Sequence, residues 1–237
     1  MLFSKNKNNS LKGKVAVVTG AGRGIGRAIA LALAEQGCNV VINSRTETEL
    51  RQAEKEIKAK NADVLAIKAD VSKLSDVKKV ISETIKKFRK INILVNNAGI
   101  GPYKSLEEHN YGEINGIIDI NLKGTIYFAR EALPYLKKED YARIINISSG
   151  IGKVGIANFT VYCATKFGVI GFTQALADEL RNVKVYAVCP GATDTRLYRQ
   201  NFPTSRNFLI DKPEKVAKVV LRLCLSDDVR SGEAVEV

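Results

Sequence analysis

The stretch KVAVVTGAGRGIGRAIALALAEQG, residues 14–37, predicts the fold of this chain. Residues 14–19 are mostly apolar and β-branched, as in a strand that is buried on both faces. Residues 24–36 predict a helix of small and aliphatic residues, and Gly37 follows as its C-terminal stop. A buried strand, a glycine-rich turn and a helix make one unit of an α/β protein.

The same alternation continues to the end of the chain. Further strands are predicted at 39–43, 62–69, 91–96, 143–148, 183–189 and 233–237. Further helices are predicted at 46–60, 73–87, 106–120, 122–138, 158–181 and 212–225. Asn121 marks a break between two of them, and Thr46 with Glu49 has the spacing of a capping box. The pattern predicts an α/β Rossmann fold, a doubly wound parallel sheet of about seven strands.

We expect a single domain, because no composition break divides the 237 residues. Residues 1–11 are predicted to form a flexible N-terminal arm, and residues 12–237 the domain. The arm has no apolar core, so we expect no secretory signal peptide, and no window approaches the ~20 apolar residues of a membrane span. The longest irregular stretch, 190–211, leaves the carboxyl end of a strand and is predicted to be a substrate lid.

Composition excludes several classes of site. With one histidine and four cysteines that show no C-x-x-C spacing, we expect no metal site. The cysteines are expected to be buried free thiols, as in a reducing cytosol, and the location to be cytoplasmic. The net charge of +12 could attract acidic partners, but the cations are spread along the chain without interleaved aromatic residues. We therefore expect neither a nucleic-acid nor a membrane partner.

Gly20, Gly24 and Gly26 follow the first strand with G-x-x-x-G-x-G spacing, and Ile25 lies between the last two. Glycine tolerates a positive φ and lets the backbone approach a phosphate, while the next helix turns its free N–H groups toward that anion. By itself, such a loop could also be a plain tight turn. Between a buried strand and a helix it indicates dinucleotide binding.

The end of the second strand indicates which dinucleotide is bound. Ser44 and Arg45 stand where sites selective for NAD usually carry an acid, and Arg23 lies in the glycine loop. A guanidinium suits a 2′-phosphate, because it has fixed donors and a permanent charge. The alternative is that Arg45 is a solvated residue at the start of a helix. The sequence favours NADP(H).

Tyr162 and Lys166 lie four residues apart in a predicted helix and so share one face. Such a pair is common on helix surfaces without any function. If the two groups are close, the ammonium lowers the phenol pKa from about 10. A phenol tuned in this way could act as general acid to a ketone or as general base to an alcohol.

The sequence resembles the short-chain dehydrogenase/reductases, in the single-domain branch that includes the 3-oxoacyl-[acyl-carrier-protein] reductases. The resemblance runs from about Leu11 to Val237. It is carried by TGAGRGIG at 19–26, Asp70-Val71, NNAG at 96–99, Asn121 in INLKG, ISS at 147–149, YCATK at 162–166, and Cys189-Pro190-Gly191 followed by Thr195. These motifs occur in the usual order and at the usual spacing.

The resemblance implies a catalytic set. Tyr162 is implied to be the acid/base, and Lys166 to lower its pKa and bind the nicotinamide ribose. Ser149 is implied to bind the substrate carbonyl, because it lies 13 residues before Tyr162, although Ser148 is a rival. Asn121 is implied to hold a water in the proton relay from Lys166, and its alternative is a simple helix cap.

Further cofactor contacts follow from the same resemblance. Asp70 and Val71 are implied to contact the adenine edge, and Asn97 and Gly99 to lie against the cofactor. Asn96 and Asn97 could instead fasten adjacent strands. A further segment is implied to hold the nicotinamide carboxamide, through Pro190, Gly191, Thr193 and Thr195.

The predicted function is hydride transfer between NADPH and a carbonyl or secondary alcohol, on a small molecule or a thioester such as a 3-oxoacyl thioester. The alternative is a catalytically silent dinucleotide-binding sensor or interaction protein of the same fold. The lid is both basic and aromatic, which suits an anionic or an aromatic substrate; its residues of these kinds include Arg196, Tyr198, Arg199, Phe202 and Phe208. We expect a homodimer or homotetramer. Many relatives continue past the position of Val237 with a Gly-Gly-containing tail that helps to build a subunit interface, and this sequence does not contain it.

Overall fold

Seven parallel strands form one sheet in the computed structural model, which describes residues 11–204 and 210–237. The strands are β1 (Val15–Val18), β2 (Asn39–Ser44), β3 (Val64–Lys68), β4 (Ile93–Asn96), β5 (Arg143–Ile147), β6 (Lys184–Cys189) and β7 (Ala234–Glu236). Their order across the sheet is β3-β2-β1-β4-β5-β6-β7, and every pair is parallel. The order reverses between β1 and β4, so a crevice opens there at the carboxyl ends of the strands. The predicted doubly wound sheet is confirmed.

Helices cover both faces of this sheet. They are α1 (Gly24–Glu35), α2 (Glu47–Lys58), α3 (Leu74–Phe88), α4 (Tyr111–Ile118), α5 (Gly124–Leu136), α6 (Thr160–Glu179), α7 (Arg196–Asn201) and α8 (Pro213–Leu225). Helices α1, α2 and α8 pack on the face that carries Ala16 and Val18, and α3, α5 and α6 on the face that carries Val15 and Val17. Successive strand residues therefore contribute to two separate cores, which explains why the strands are apolar throughout.

The predicted break at Asn121 is a single π-helical turn, Asp119–Lys123, that joins α4 to α5 without ending the helix. The prediction that the preceding helix starts at 106 is wrong. Asn110 caps α4 by accepting a hydrogen bond from the backbone N–H of Glu113, and the Glu113 carboxylate accepts one from the Asn110 N–H. This reciprocal cap fixes the helix start at Tyr111.

Two smaller predictions at other element ends are also corrected. Thr46 stands at the N-cap of α2 but makes no side-chain capping bond, and the Glu49 carboxylate pairs with Arg23 and Arg196. Leu11 was predicted to belong to the flexible arm, yet it is buried in the core, and its carbonyl accepts a hydrogen bond from the Cys38 thiol. Residues 1–10 of that arm lie outside the described residues.

The segment 190–211, predicted as one irregular loop, contains the short helix α7. Its two ends are joined by a bridge between Thr193 and Asp211, so the segment returns to its starting point beside the sheet. Residues 205–209, which include the aromatic Phe208 of the predicted lid, lie outside the described residues. In the part of the chain that the structure describes, no helix is long and apolar enough to cross a membrane.

Candidate active site

A cleft of about 930 Å³ lies over the carboxyl ends of the strands. It is lined by the segments at the ends of the first six strands, β1 to β6. The residues predicted from the sequence that line it are Gly20, Arg23, Gly24, Ile25, Ser44, Arg45, Asp70, Val71, Asn97, Gly99, Ser149, Tyr162, Lys166, Pro190, Gly191, Thr193 and Thr195. Gly26 and Asn121, the other two predicted residues, do not line the cleft. The fold thus brings nearly the whole predicted set to one place.

The glycine loop has the shape that the sequence predicts. Gly20 and Gly24 have φ angles of +64° and +55°, and a Cβ on Gly20 would lie 2.9 Å from the Cα of Ala98. Gly26 serves packing inside the loop, since a Cβ there would lie 2.4 Å from Asn97 Nδ2 and 2.6 Å from the Gly20 carbonyl oxygen. Helix α1 begins at Gly24, so its free N–H groups face the cleft beside the loop.

The residues at the ends of β2 and β3 fit the adenosine end of a dinucleotide. Both side-chain polar atoms of Asn43 are buried without a hydrogen-bond partner, and Asn43 lines the cleft. Buried polar atoms without partners are rare in folded proteins, so a polar ligand that meets them is expected. Arg45 is exposed at the same edge. Burial raises the pKa of Asp70, but hydrogen bonds from Ser72 and the charge of Arg45 outweigh it and hold that pKa below its usual range.

Glu49 joins two arginines across the cleft, which the sequence analysis did not foresee. Its carboxylate lies 2.9 Å from Arg23 in the glycine loop and 2.8 Å from Arg196 at the start of α7. Glu49 is only 19% exposed, so the pair of contacts is partly shielded from water. Among the described residues Arg45 forms no such ion pair, and it remains available to an anion.

Asn96 and Asn97 fasten adjacent strands, as the structural alternative proposed. The Asn96 amide donates to Asn146 Oδ1 over 2.8 Å, between β4 and β5. The Asn97 amide donates to the Thr19 carbonyl oxygen over 2.9 Å, and the Asn97 N–H donates to the Thr19 hydroxyl. Asn97 also lines the cleft, so a structural role and contact with a ligand are compatible for this residue.

Asn121 is buried in the π-helical turn and fixes the loop after β4. Its side chain accepts from the N–H of Ile100 and donates to the carbonyl of Ile100, and it also donates to the Thr165 hydroxyl of α6. The helix-cap alternative is wrong, because the helix continues on both sides and these partners lie outside it. A Cβ on Gly99 would lie 3.4 Å from Asn121 Oδ1 and 3.6 Å from Lys166 Nζ. Gly99 therefore lies next to both polar groups.

Tyr162 and Ser149 form the polar centre of the cleft. Burial raises the pKa of Tyr162 to about 12, while a hydrogen bond between the Ser149 and Tyr162 side chains acts in the opposite direction. Ser148 is buried and donates its hydroxyl hydrogen bond to the Lys166 carbonyl oxygen over 2.9 Å. The geometry therefore favours Ser149 over Ser148 as the serine that faces a ligand beside Tyr162.

Lys166 lies behind the Tyr162 ring, with Nζ 5.6 Å from the ring centroid. Its ammonium donates to the Ile147 carbonyl oxygen over 2.8 Å, and burial lowers the pKa of Lys166 to about 8. The expectation that this lysine brings the pKa of Tyr162 below 10 is not met in this arrangement. The ammonium is directed to β5, and burial of the phenol dominates its titration.

The segment after β6 lines the cleft from Pro190 onward. The Pro190 carbonyl accepts from the Gly150 N–H, Gly191 is exposed, and Thr193 is buried in its bridge to Asp211. Thr195 caps α7 by accepting from the Tyr198 N–H, and a Cβ on Gly24 would lie 3.4 Å from its methyl group. The lid therefore begins directly opposite the glycine loop.

The loop after β4 is held by two residues that the sequence analysis missed. A Cβ on Gly101 would lie 2.4 Å from Cδ2 of Tyr162, so the loop backbone packs on the tyrosine ring. Asn201, at the end of α7, donates to the Gly101 carbonyl over 2.7 Å and accepts from the Tyr103 N–H. Neither contact has a signal in the sequence, because the partners belong to distant segments.

Metal and thiol chemistry find no support at this cleft. No group of three or more His, Cys, Asp or Glu residues that could hold a metal ion occurs within residues 11–204 and 210–237. All four cysteines are free and buried. Burial raises the pKa of Cys38 and of Cys224 to about 12, so these two thiols are protonated and unreactive near neutral pH.

A doubly wound parallel sheet with these groups at its topological switch point defines a Rossmann-type α/β oxidoreductase. The short chain dehydrogenase family matches residues 14–206 of the chain. A 3-oxoacyl-[acyl-carrier-protein] reductase FabG of Staphylococcus aureus is 45% identical over 181 residues, which are 75% of this chain and 74% of that protein. The chain belongs to the short-chain dehydrogenase/reductase family.

Two further relatives cover almost the whole chain. A protein of the same name from Thermotoga maritima is 34% identical over 223 residues, which are 90% of this chain and 91% of that protein. The crystal structure of levodione reductase superposes with a TM-score of 0.88 at 27% identity, and the match covers 95% of this chain and 96% of that one. The resemblance to this family that the sequence indicated is confirmed.

Proposed function

We propose that this protein is an NADP(H)-dependent oxidoreductase that interconverts a carbonyl compound and a secondary alcohol. The observation that carries the proposal is that Ser149, Tyr162 and Lys166 line the same cleft as the glycine loop. The similarity to a 3-oxoacyl-[acyl-carrier-protein] reductase and to levodione reductase supports carbonyl chemistry. A silent dinucleotide-binding protein remains the alternative, and no contact in the cleft favours it.

The cofactor would be held along the switch point of the sheet. The glycine loop and the start of α1 suit the pyrophosphate, and Arg45 with Arg23 suits the 2′-phosphate. The unpartnered Asn43 side chain, with Asp70 and Val71, suits the adenosine. The nicotinamide end would lie by Asn97, Gly99 and the segment that contains Pro190, Gly191, Thr193 and Thr195. When bound, the reduced nicotinamide supplies the hydride for the carbonyl carbon.

Tyr162 would donate the proton that the carbonyl oxygen receives. Its pKa of about 12 keeps the phenol protonated near neutral pH, which is the form that carbonyl reduction needs. Ser149, which lines the cleft beside Tyr162, would donate a second hydrogen bond to the same oxygen and stabilise the developing negative charge. In the direction of alcohol oxidation, Tyr162 would accept the proton instead.

Lys166 and Asn121 would support this proton transfer from behind. Lys166, with a pKa of about 8, can lose and regain a proton in the physiological range, and it would also bind the nicotinamide ribose. Asn121 is 1% exposed and separated from Lys166 only by Gly99, so we assign it to the proton relay from that lysine. Its hydrogen bonds to Ile100 and Thr165 would hold the relay in place.

Location and assembly complete the proposal. Four buried free thiols suit a reducing compartment, and we propose the cytoplasm. We also keep the homodimer or homotetramer as a proposal, which sedimentation would test.

The test is NADPH oxidation, followed at the absorbance band of the reduced nicotinamide with a panel of ketones, quinones and 3-oxoacyl thioesters. We expect turnover with NADPH well ahead of NADH. Tyr162→Phe is expected to remove nearly all turnover while NADPH still binds, because it deletes only the acidic hydroxyl. Tyr111→Phe, at a tyrosine that is 86% exposed outside the cleft, is the matched control and should keep full activity. Equal turnover by Tyr162→Phe and the unaltered protein would contradict the proposal.

A further inference from the structure

Five aromatic rings from three distant segments meet beside the proposed catalytic pair. We call Tyr103, Phe159, Tyr162, Tyr198 and Phe202 the aromatic cluster. Ring centroids are 5.2 Å apart for Tyr103 and Phe159, 5.7 Å for Phe159 and Tyr162, and 5.2 Å for Tyr198 and Phe202. All members except Tyr103 line the cleft, so aromatic faces and edges border the space next to the Tyr162 hydroxyl.

Most charged side chains that line the cleft lie at its other end. Of the described residues that line it, the charged ones are Arg23, Arg45, Glu49, Asp70, Lys166 and Arg196. The first four belong to the adenosine end. Lys166 is buried behind Tyr162 and bonded to Ile147, and Arg196 is paired with Glu49. Among the described residues, the surroundings of Ser149 and the aromatic cluster therefore present no unpaired cation to a substrate.

The two arginines of α7, Arg196 and Arg199, do not offer a free positive charge to the substrate space either. Arg199 forms two hydrogen bonds with Asp194, of 2.6 and 2.8 Å, within the lid itself. Arg196 lies 2.8 Å from Glu49 at the adenosine end. Both of these lid arginines have carboxylate partners, so the described part of the lid, residues 190–204, contributes aromatic rings to the cleft rather than free positive charge.

Contacts at both ends of α7 hold the lid over the cleft. At its start, the ion pair of Arg196 with Glu49 ties it to α2. At its end, the Asn201 side chain bonds the backbone at Gly101 and Tyr103, in the loop that packs on the Tyr162 ring. Phe202 follows directly and is 5.4 Å from Tyr103, centroid to centroid. On the lid side, the cleft is lined by the apolar and aromatic residues Leu197, Tyr198 and Phe202, together with the uncharged polar residues Gln200 and Asn201.

Resting on the proposed carbonyl reduction, we infer that the substrate is an uncharged ketone whose carbonyl carbon belongs to, or is bonded to, an aromatic or alicyclic ring. The ring packs against Phe159 and Phe202, where flat groups gain edge-to-face contact in addition to burial. The carbonyl oxygen then reaches Ser149 and Tyr162. A carboxylate or phosphate on the substrate would lose its water without gaining a cation, which disfavours anionic substrates.

The experiment compares substrates that differ in one property. 4′-Methylacetophenone and 4-acetylbenzoate share a ring and a ketone but differ in charge, and the N-acetylcysteamine thioester of acetoacetate carries an uncharged acyclic 3-oxoacyl group. We expect kcat/KM for 4′-methylacetophenone to exceed that of each of the other two at least tenfold. A carboxylate or thioester that equals or exceeds the neutral aryl ketone would overturn the inference.

A variant locates the effect in the aromatic cluster. Phe202→Ala is expected to raise the KM for 4′-methylacetophenone about tenfold and to change the KM for 2-butanone, which has no ring, less than twofold. Tyr111→Ala removes an aromatic residue that is 86% exposed and should change neither value. Equal changes for both ketones in Phe202→Ala would count against ring recognition.

The inference and the proposed function fail in different ways. If no carbonyl compound is reduced, the proposed function is wrong, and binding is then measured directly by calorimetry on the unaltered protein with saturating NADPH. Binding of 4′-methylacetophenone at least tenfold tighter than 4-acetylbenzoate, weakened by Phe202→Ala, would support the site without the reaction. Equal or reversed affinities would overturn the site as well.

Discussion

The backbone of Gly101 lies directly against the ring of Tyr162. A Cβ placed on Gly101 would come within 2.4 Å of Cδ2 and 2.7 Å of Cε2 of that ring, well inside van der Waals contact. The loop carrying Gly101 is itself held by Asn201 and Asn121. The position of the proposed catalytic hydroxyl is therefore set by loop packing as well as by the α6 backbone.

Gly101→Ala is expected to lower kcat about 100-fold, because the added methyl group displaces the Tyr162 ring, and a shift of about 1 Å at a reacting group has an effect of this size. NADPH affinity should change little, since Gly101 lies on the substrate side of the cleft. Steady-state kinetics and an NADPH titration by fluorescence would measure both quantities.

Gly116→Ala is the matched control. Gly116 lies inside α4, and a Cβ there would meet nothing within 4 Å. This variant should keep full activity and gain about 0.5–1 kcal/mol in free energy of unfolding, the usual difference between alanine and glycine in a helix. A Gly101→Ala variant as active as Gly116→Ala would contradict the role assigned to the loop.

Arg45→Asp is expected to weaken NADPH binding by about 10- to 100-fold, since a charge-assisted hydrogen bond contributes about 1.5–3 kcal/mol. NADH affinity should change much less, because its ribose carries no 2′-phosphate. Arg181→Asp makes the same change of charge at an exposed residue outside the cleft and should leave both affinities near their starting values. Isothermal titration of each variant with the two cofactors would decide; unchanged NADPH affinity in Arg45→Asp would exclude the assigned contact.

Lys166→Met is expected to abolish turnover yet stabilise the fold near neutral pH. Burial lowers the pKa of Lys166 from 10.5 to about 8, so the folded state disfavours the ammonium. At about 1.36 kcal/mol per pKa unit this penalty is about 3 kcal/mol. Since the variant also loses the hydrogen bond to Ile147, we expect a net gain of about 1–3 kcal/mol at pH 7.

The sign of the pH dependence follows from the two protonation states. Below pH 8 Lys166 is charged in both the folded and unfolded states, so the penalty is fully present. Between pH 8 and 10.5 the folded state loses the proton first, and the penalty disappears. The difference in free energy of unfolding between Lys166→Met and the unaltered protein, measured in urea, should therefore shrink from pH 7 to pH 10.5. A constant difference would show that burial does not penalise the Lys166 ammonium.

Much of the fold was predictable from local pattern. The strand and helix positions followed from apolar runs and amphipathic periodicity, which depend on residues close together in the chain. The glycine loop was predictable because a positive φ at Gly20 and Gly24 is a local property of glycine. The errors arose at element ends, where the boundary depends on side-chain contacts. The cap at Asn110 places the start of α4 later than predicted, and Glu49 pairs with two arginines instead of completing the predicted capping box.

The sequence by itself determined the parallel sheet and the set of polar residues that meet at its edge, because each strand end is encoded locally and the carboxyl ends of parallel strands lie at one edge. Only the tertiary structure decided the rest. It joined Glu49 to Arg23 and Arg196, chose Ser149 over Ser148 beside Tyr162, and gathered the aromatic cluster from three segments. These contacts depend on how distant segments pack against one another, and no local period in the sequence records that packing.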